Sequence, residues 1–431
     1  MKRVLLLFLL FGTTAIFASV SGDETKSSKQ NLKQAAAPEE VGFSSERLTR
    51  IDKYFSELIE SNKLPHAQAF IARHGKIVYF KSFGLKDNEK KIPLQNNDIF
   101  RLASQTKAIT TTALMILFEE AKINLSDPVS KYIPAFKDVK VQIKPGTDYS
   151  PANLEDLKKP ITIHHLLTHT SGIPYWWDPN VFKIIISPGY TFDNVTLEEV
   201  INEMAKMPLA HQPEAALTYG YNLDVVGRII EVASGMKLDE FFKKRIFEPL
   251  GMNDTYFYLP QEKANQLVTL STKEKENEPA VTSTDDLFCN YPVNGARSFF
   301  SGGAGLVGPL EDYAKFCQML LNGGSYNNKQ IISPKSVELM TRNHVGTLPL
   351  GETGNQFGFG FEIMTEKGLQ NILGTPGSYK WGGAFSTEYV IDPKEDLVMI
   401  FYCNIRPLAG KVEILNKYRT LVYQALINKT F

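Results

Sequence analysis

Apolar positions recur along the chain with two different periods. In "SERLTRIDKYFSELIESN" (45–62) they fall every three or four residues, which predicts an amphipathic helix. "QAFIARHGKIVYFKSFG" (68–84) instead predicts two strands around a His-Gly turn. "TTALMILFEE" (111–120) carries no charge until Glu119 and predicts a buried helix, ended by the turn and proline signals of "LSDPVSKYIP". From about 111 to 290 the patterns are mostly helical, broken by Pro, Gly and Asn, as in "ITIHHLLTHTSG" and "LDVVGRIIEVASG". Strand patterns return in "GFGFEIM", "STEYVID" and "DLVMIFYCN", and "KVEILNKYRTLVYQALIN" closes the chain as a helix. Strands early and late with helices between predict an α/β (α+β) sandwich whose sheet is completed by both ends of the chain. The α/β part would comprise 45–110 and 291–431, with a helical lobe inserted at 111–290.

The first residues follow neither period. Lys2 and Arg3 precede an uninterrupted apolar run at 4–11, then small residues from Ala18 to Gly22. This is the pattern of a signal peptide (1–22) cleaved within 18–22. Gly12, Thr13 and Thr14 keep the apolar core well under the ~20 residues of a spanning helix. No cysteine lies near for lipid attachment, so no stable membrane anchor is expected after cleavage. Export to a bacterial periplasm or beyond is the expectation. Residues 23–44 are polar and rich in Ala, Lys and Ser, which predicts a flexible lead-in.

Composition narrows the function classes. With 431 residues, 43% hydrophobic and 22% charged, the chain is of soluble globular type. Basic and acidic residues balance at 47 each, which gives no footprint for nucleic acid or an anionic surface. Three cysteines are too few for a disulfide scaffold at this length. Cys317 and Cys403 sit in apolar contexts and read as buried thiols; one disulfide among Cys289, Cys317 and Cys403 is left open.

Several easier answers fail. No Gly-x-Ser-x-Gly elbow and no phosphate-binding Gly-x-x-x-x-Gly-Lys-Ser/Thr loop occurs. His165 and His169 stand at i and i+4 but lack the glutamate of a zinc-protease helix, so they are expected to be structural; no metal and no cofactor is expected. "RLASQTKAIT" (101–110) is different. Ser104 and Lys107 are about one helical turn apart, on one face at the foot of the apolar helix. Burial of an ammonium favours the neutral amine that can accept a proton, and a helix N-terminus favours an alkoxide. A capping serine followed by a snorkelling lysine would give the same four residues.

Two further stretches decide between these readings. One is "QPEAALTYGYNLDVVGRIIEVASG" (212–235), with Tyr219 before an apolar helix. The other is "YKWGGAFSTEYVIDPKEDLVMIF" (379–401), where a strand carries Trp381-Gly382-Gly383 into a hairpin. With these the chain resembles the serine β-lactamases and penicillin-binding proteins, in their class C and esterase branch. That family orders Ser-x-x-Lys, then Tyr-x-Asn or Tyr-Ser-x, then a Lys-Thr-Gly, His-x-Gly or Trp-Gly-Gly strand. The likeness runs from about 45 to 425 and includes "LSDPVSKYIPAF", "SGGAGLVGPLEDYAKFCQMLLNGG" and "FGFGFEI".

The resemblance implies a β-lactamase/transpeptidase-like fold, an antiparallel sheet flanked by helices plus the inserted lobe. It also implies an acyl-enzyme mechanism with Ser104 as nucleophile, Lys107 as proton acceptor and Tyr219 as general base. The oxyanion donors would be the N–H groups of Ser104 and Ala384. Tyr221, Trp381, Gly382 and Gly383 would contact a small ester, amide or β-lactam. Two departures matter. Tyr219-Gly220-Tyr221 has tyrosine where lactamases commonly have asparagine. Trp381 stands where lactamases and D,D-peptidases commonly place a lysine for the substrate carboxylate, and Lys380 points to the other face of a strand. Both favour the carboxylesterase members. The alternatives are a β-lactamase or D-amino-acid peptidase, and a penicillin-binding-like sensor without turnover. The complete Ser104, Lys107 and Tyr219 set argues against the sensor.

Overall fold

One strand shows how the molecule is organised. All eight residues of His66–Arg73 are buried. Ala67, Ala69 and Ile71 join one hydrophobic core, Phe70 and Ala72 another. Successive strand side chains point to opposite faces, so a strand buried throughout lies in a sheet covered on both sides. The computed structural model describes residues 31–146, 148–175, 195–295 and 297–427, with Asp286 and Leu287 described by their backbone alone. The expected signal peptide and its cleavage window lie outside the described residues.

In chain order the main sheet contains β1 (Lys33–Gln34), β2 (His66–Arg73), β3 (Lys76–Asp87), β4 (Gln356–Phe357), β5 (Glu362–Ile363), β6 (Tyr379–Gly383), β7 (Thr387–Asp392) and β8 (Leu397–Tyr402). Their spatial order is β1-β3-β2-β8-β7-β6-β5-β4, and a short Ile92–Pro93 strand pairs with β3. Neighbours run antiparallel except β1, which is parallel to β3. The β2–β8 ladder, from Arg73↔Leu397 to Gln68↔Tyr402, joins the two ends of the chain in one sheet.

Helix α1 (Ser45–Glu60) starts where the Ser44 side chain accepts the Arg47 N–H, and it buries Leu48, Ile51, Phe55 and Leu58 along one stripe. Further along come α2 (Thr106–Glu119), α3 (Ile163–Leu167), α4 (Asn222–Ser234), α5 (Leu310–Leu321) and α6 (Lys411–Tyr423). α1 and α6 cover one face of the sheet; Phe55 lies 5.5 Å from the Phe401 ring of β8 and 5.6 Å from Tyr418 of α6. Burial of one such ring stabilises the fold by roughly 1.5–3 kcal/mol. α2 and α5 lie against the opposite core, and α2 is buried on every side from Thr106 to Leu117.

Two local expectations are corrected. The lead-in is not flexible over its whole length: β1 adds to β3, Pro38–Val41 forms a 3-10 turn, and Phe43 is fully buried. Backbone pairing and a few apolar anchors (Ala35, Val41, Phe43) are enough, and a polar composition hides them. "GFGFEIM" is not one strand but the turn and return of a hairpin, with Gln356↔Ile363 and Phe357↔Glu362 paired. The three cysteines are free thiols, with Cys317 and Cys403 buried.

Candidate active site

Ser104 is delivered by a strained approach. Phe100–Arg101 pairs with Val307–Gly308, and the Leu102 N–H donates to Leu306 O at 2.9 Å. Ala103 then takes a left-handed φ of 46°, and Ala103–Gln105 turns as a 3-10 helix into α2. A non-glycine residue in that region costs of order 1–3 kcal/mol and persists only where its surroundings impose it. Arg101 supplies such surroundings. Its buried guanidinium donates to the carbonyls of Phe288, Val268 and Cys289 and to Asn404 Oδ1. Burial pulls its pKa down to about 10.

The one-turn spacing puts Lys107 Nζ 3.3 Å from Ser104 Oγ, and the ammonium also donates to Gly303 O at 2.7 Å. Lys107 is 1% exposed. Its Nζ lies 4.6 Å from the centroid of the Tyr219 ring and 5.7 Å from that of Tyr175, within cation–π range. The Tyr219 hydroxyl is buried and has no hydrogen-bond partner among the described residues. Leaving a buried hydroxyl unpaired costs about 1–3 kcal/mol, so its retention beside an ammonium needs a reason. Around its ring stand His169 at 4.6 Å, Tyr175 at 5.5 Å and Trp381 at 5.5 Å.

The two histidines serve different elements. His165 closes a capping box with Thr162 at the start of α3 and bonds Glu214 Oε1 at 2.8 Å through Nε2. His169 turns inward. Its Nδ1 accepts from Asn222 Nδ2 at 2.9 Å and from the Gly220 N–H at 3.3 Å, which places the ring proton on Nε2. Burial, with the Lys107 ammonium adding to it, holds this imidazole neutral, well below its ordinary pKa. No group of three His, Cys, Asp or Glu able to hold a metal occurs among the described residues.

β6 carries the third stretch. Lys380 turns away from Ser104 and pairs with Glu362 at 2.9 Å and Glu388 at 3.4 Å. Trp381, on the other side of the strand, meets the rings of Tyr219 and Phe357 at 5.5 and 5.4 Å. A Cβ on Gly383 would lie 2.3 Å from Leu102 O and 2.4 Å from Thr387 Oγ1. Only glycine lets the strand end this close to the Ser104 turn, and the exposed Ala384 follows it. Gly220 is required in the same way, since a Cβ there would lie 2.1 Å from Ile173 O. Tyr221 is 5% exposed and its ring lies on Tyr175 at 4.5 Å, so it reaches the site through that ring. A separate cavity of about 420 Å³ is lined by Phe247, Phe257, Arg297 and their neighbours, and by none of Ser104, Lys107 and Tyr219.

Three residues of this neighbourhood escape the sequence reading: His169 as a wall of the site, Tyr175, and Asp224. Asp224 alone had a signal, a single acid early in the apolar "LDVVGRII".

The chain is similar to known proteins over most of its length. Esterase EstB of Burkholderia gladioli is 27% identical over 375 residues, covering 82% of this chain and 90% of its own. The lovastatin esterase of Penicillium rubens is 30% identical over 376 residues, covering 80% and 90%. Among solved structures, EstCE1, a hydrolase with promiscuous acyltransferase activity, superposes with a TM-score of 0.73 at 24% identity. That match covers 89% of this chain and 99% of EstCE1, and it shows the shared fold. The family described as Beta-lactamase matches residues 51–424, and the chain belongs to that family of serine hydrolases.

Proposed function

We propose that the protein is an exported, carboxylesterase-like hydrolase acting through an acyl-Ser104 intermediate. The observation that carries this reading is the buried Lys107 ammonium, in contact with Ser104 Oγ and over the Tyr219 ring at once. Ser104 Oγ attacks the substrate carbonyl while its proton passes to the Lys107–Tyr219 pair. A phenol titrates near ~10 when free, so Tyr219 serves as base only with a cation beside it, and Lys107 is that cation. The oxyanion takes the N–H groups of Ser104 and Ala384. The bond to the leaving oxygen then breaks, and that oxygen takes the proton back. Water, deprotonated by the same pair, cleaves the acyl-enzyme and restores Ser104. The apolar walls of Trp381 and Phe357 suit a neutral acyl chain, and two esterases among the relatives support that preference. Export rests on the basic, apolar and small-residue order of 1–22.

The test is covalent labelling with a serine-directed phosphonate. Wild type should be labelled at Ser104 and inactivated, and Ser104→Ala should lose both labelling and turnover of p-nitrophenyl butyrate. Full activity in Ser104→Ala, with the label on another serine, would remove the assignment. A chromogenic cephalosporin and a D-alanyl peptide assayed in parallel separate the esterase reading from the lactamase and peptidase ones.

A further inference from the structure

We propose that Asp224 is a positioning residue for this proton transfer: its carboxylate, held on the N–H of the same Gly303 whose carbonyl holds Lys107, supplies the negative charge that sets how tightly the Lys107–Tyr219 pair holds its proton. This rests on the roles given above to Ser104, Lys107 and Tyr219. Asp224 lies in the first turn of α4 and is 3% exposed. Its Oδ1 accepts from Ser301 Oγ at 2.5 Å and from the Gly303 N–H at 3.2 Å. The carbonyl of the same Gly303 accepts from Lys107 Nζ at 2.7 Å. These two groups belong to successive peptide units on either side of the Gly303 Cα, so what couples Asp224 to Lys107 is the attraction between two buried opposite charges held on one residue.

Among the described residues, few other charges stand near Lys107 to do this. Lys107 donates to two uncharged acceptors, Ser104 Oγ and Gly303 O. Among the described residues, the other titratable groups around Lys107 are His169, which burial keeps neutral, and the phenols of Tyr219 and Tyr175. Burial pushes the Asp224 carboxyl above its ordinary range, and Lys107, Ser301 and Gly303 oppose that push. Hydrogen bonding alone does not require an acid here, because asparagine would present the same acceptor to Ser301 and Gly303. What aspartate adds is charge.

The test is the pH dependence of Ser104 labelling by the phosphonate in wild type and Asp224→Asn. Removing a buried negative charge makes a proton on the Lys107–Tyr219 pair less favourable, so the ascending limb should move to lower pH by on the order of one unit. The plateau rate should fall about 10-fold, because the pair becomes the weaker base. A limb that stays in place, whatever the loss of rate, overturns the proposal while leaving the acyl-Ser104 reading intact. Labelling that does not depend on Ser104 overturns both.

A reciprocal measurement stands even if Asp224→Asn folds poorly. Infrared spectra of protein carrying isotope-labelled aspartate should show no protonated carboxyl from Asp224 in wild type at neutral pH. Lys107→Ala should show one, and the Lys107→Ala/Asp224→Asn double variant should lose it. A protonated Asp224 in wild type, or an ionised one in Lys107→Ala, overturns the proposal.

Discussion

Under the proposed function, Trp381 is the residue of β6 on which the choice between a neutral and an acidic substrate turns. Its ring closes on Tyr219 and Phe357, and the neighbouring lysine is committed elsewhere, to Glu362 and Glu388. No cation on β6 therefore faces the substrate side. A lysine at 381 would offer a carboxylate a charge-assisted hydrogen bond, worth about 1.5–3 kcal/mol. That is on the order of 10–100-fold in rate if the contact holds in the transition state. Wild type should therefore prefer p-nitrophenyl butyrate to a carboxylate-bearing cephalosporin. Trp381→Lys should move the ratio of their kcat/KM values toward the cephalosporin, even as loss of the aromatic contacts lowers both. A wild type that prefers the cephalosporin, with a ratio unmoved in the variant, would leave the lactamase reading in place of the esterase one.

Between elements, the junction of β6 with the turn into α2 fixes the site, and it has almost no slack. Gly383→Ala would drive a methyl group into Leu102 O and Thr387 Oγ1. Leu102 cannot retreat easily, because its N–H is tied to Leu306 and Arg101 beside it is held by three carbonyls and Asn404. The variant should lose about 1–3 kcal/mol of stability by overpacking. Its rate of Ser104 labelling should fall more steeply than its urea midpoint; wild-type labelling with a normal midpoint would show that the close approach has no role in the chemistry. This junction also marks how far the sequence could be read. The nearness of Ser104 to Lys107 was legible because one helical turn relates them, but a capping serine gives the same spacing, and only the resemblance carried by Tyr219 and Trp381-Gly382-Gly383 chose between the two readings. β1 was not legible, since a two-residue strand pairs through its backbone and leaves no side-chain pattern. The hairpin at 356–363 was not, because alternating Gly and Phe imitates a continuous strand. His169 meets Tyr219, and Asp224 and Lys107 meet at Gly303, only through folding, so no spacing announces them, and the lone acid of "LDVVGRII" does not say what it faces.

Across the whole molecule, one buried network ties the sheet to the site, and it makes stability depend on pH. His66 opens β2 and is 1% exposed. Its Nδ1 bonds Leu85 O at 3.0 Å, and its Nε2 accepts the Asn404 N–H at 3.2 Å, just past β8. Asn404 Oδ1 in turn accepts the Arg101 N–H at 3.0 Å and its guanidinium at 3.3 Å, at the entry to the Ser104 turn. A second proton on His66 would set Nε2–H against the Asn404 N–H, donor against donor. Burial accordingly pulls the imidazole from an ordinary 6.5 down to about 4. The unfolded chain takes up this proton first as pH falls. The stability that His66 contributes is thus complete above its unfolded pKa and is lost progressively toward about 4. Between about pH 7 and pH 5 the loss amounts to about 2 kcal/mol for a group shifted this far. His169, also buried and neutral, adds a loss in the same direction. Urea midpoints should therefore fall steeply over that interval, and His66→Gln, which has no proton to gain, should show a shallower fall from a lower starting stability. Equal slopes in the two proteins would mean that His66 takes up its proton without disturbing Asn404, and the link from the central strand to the Ser104 turn would then lie elsewhere.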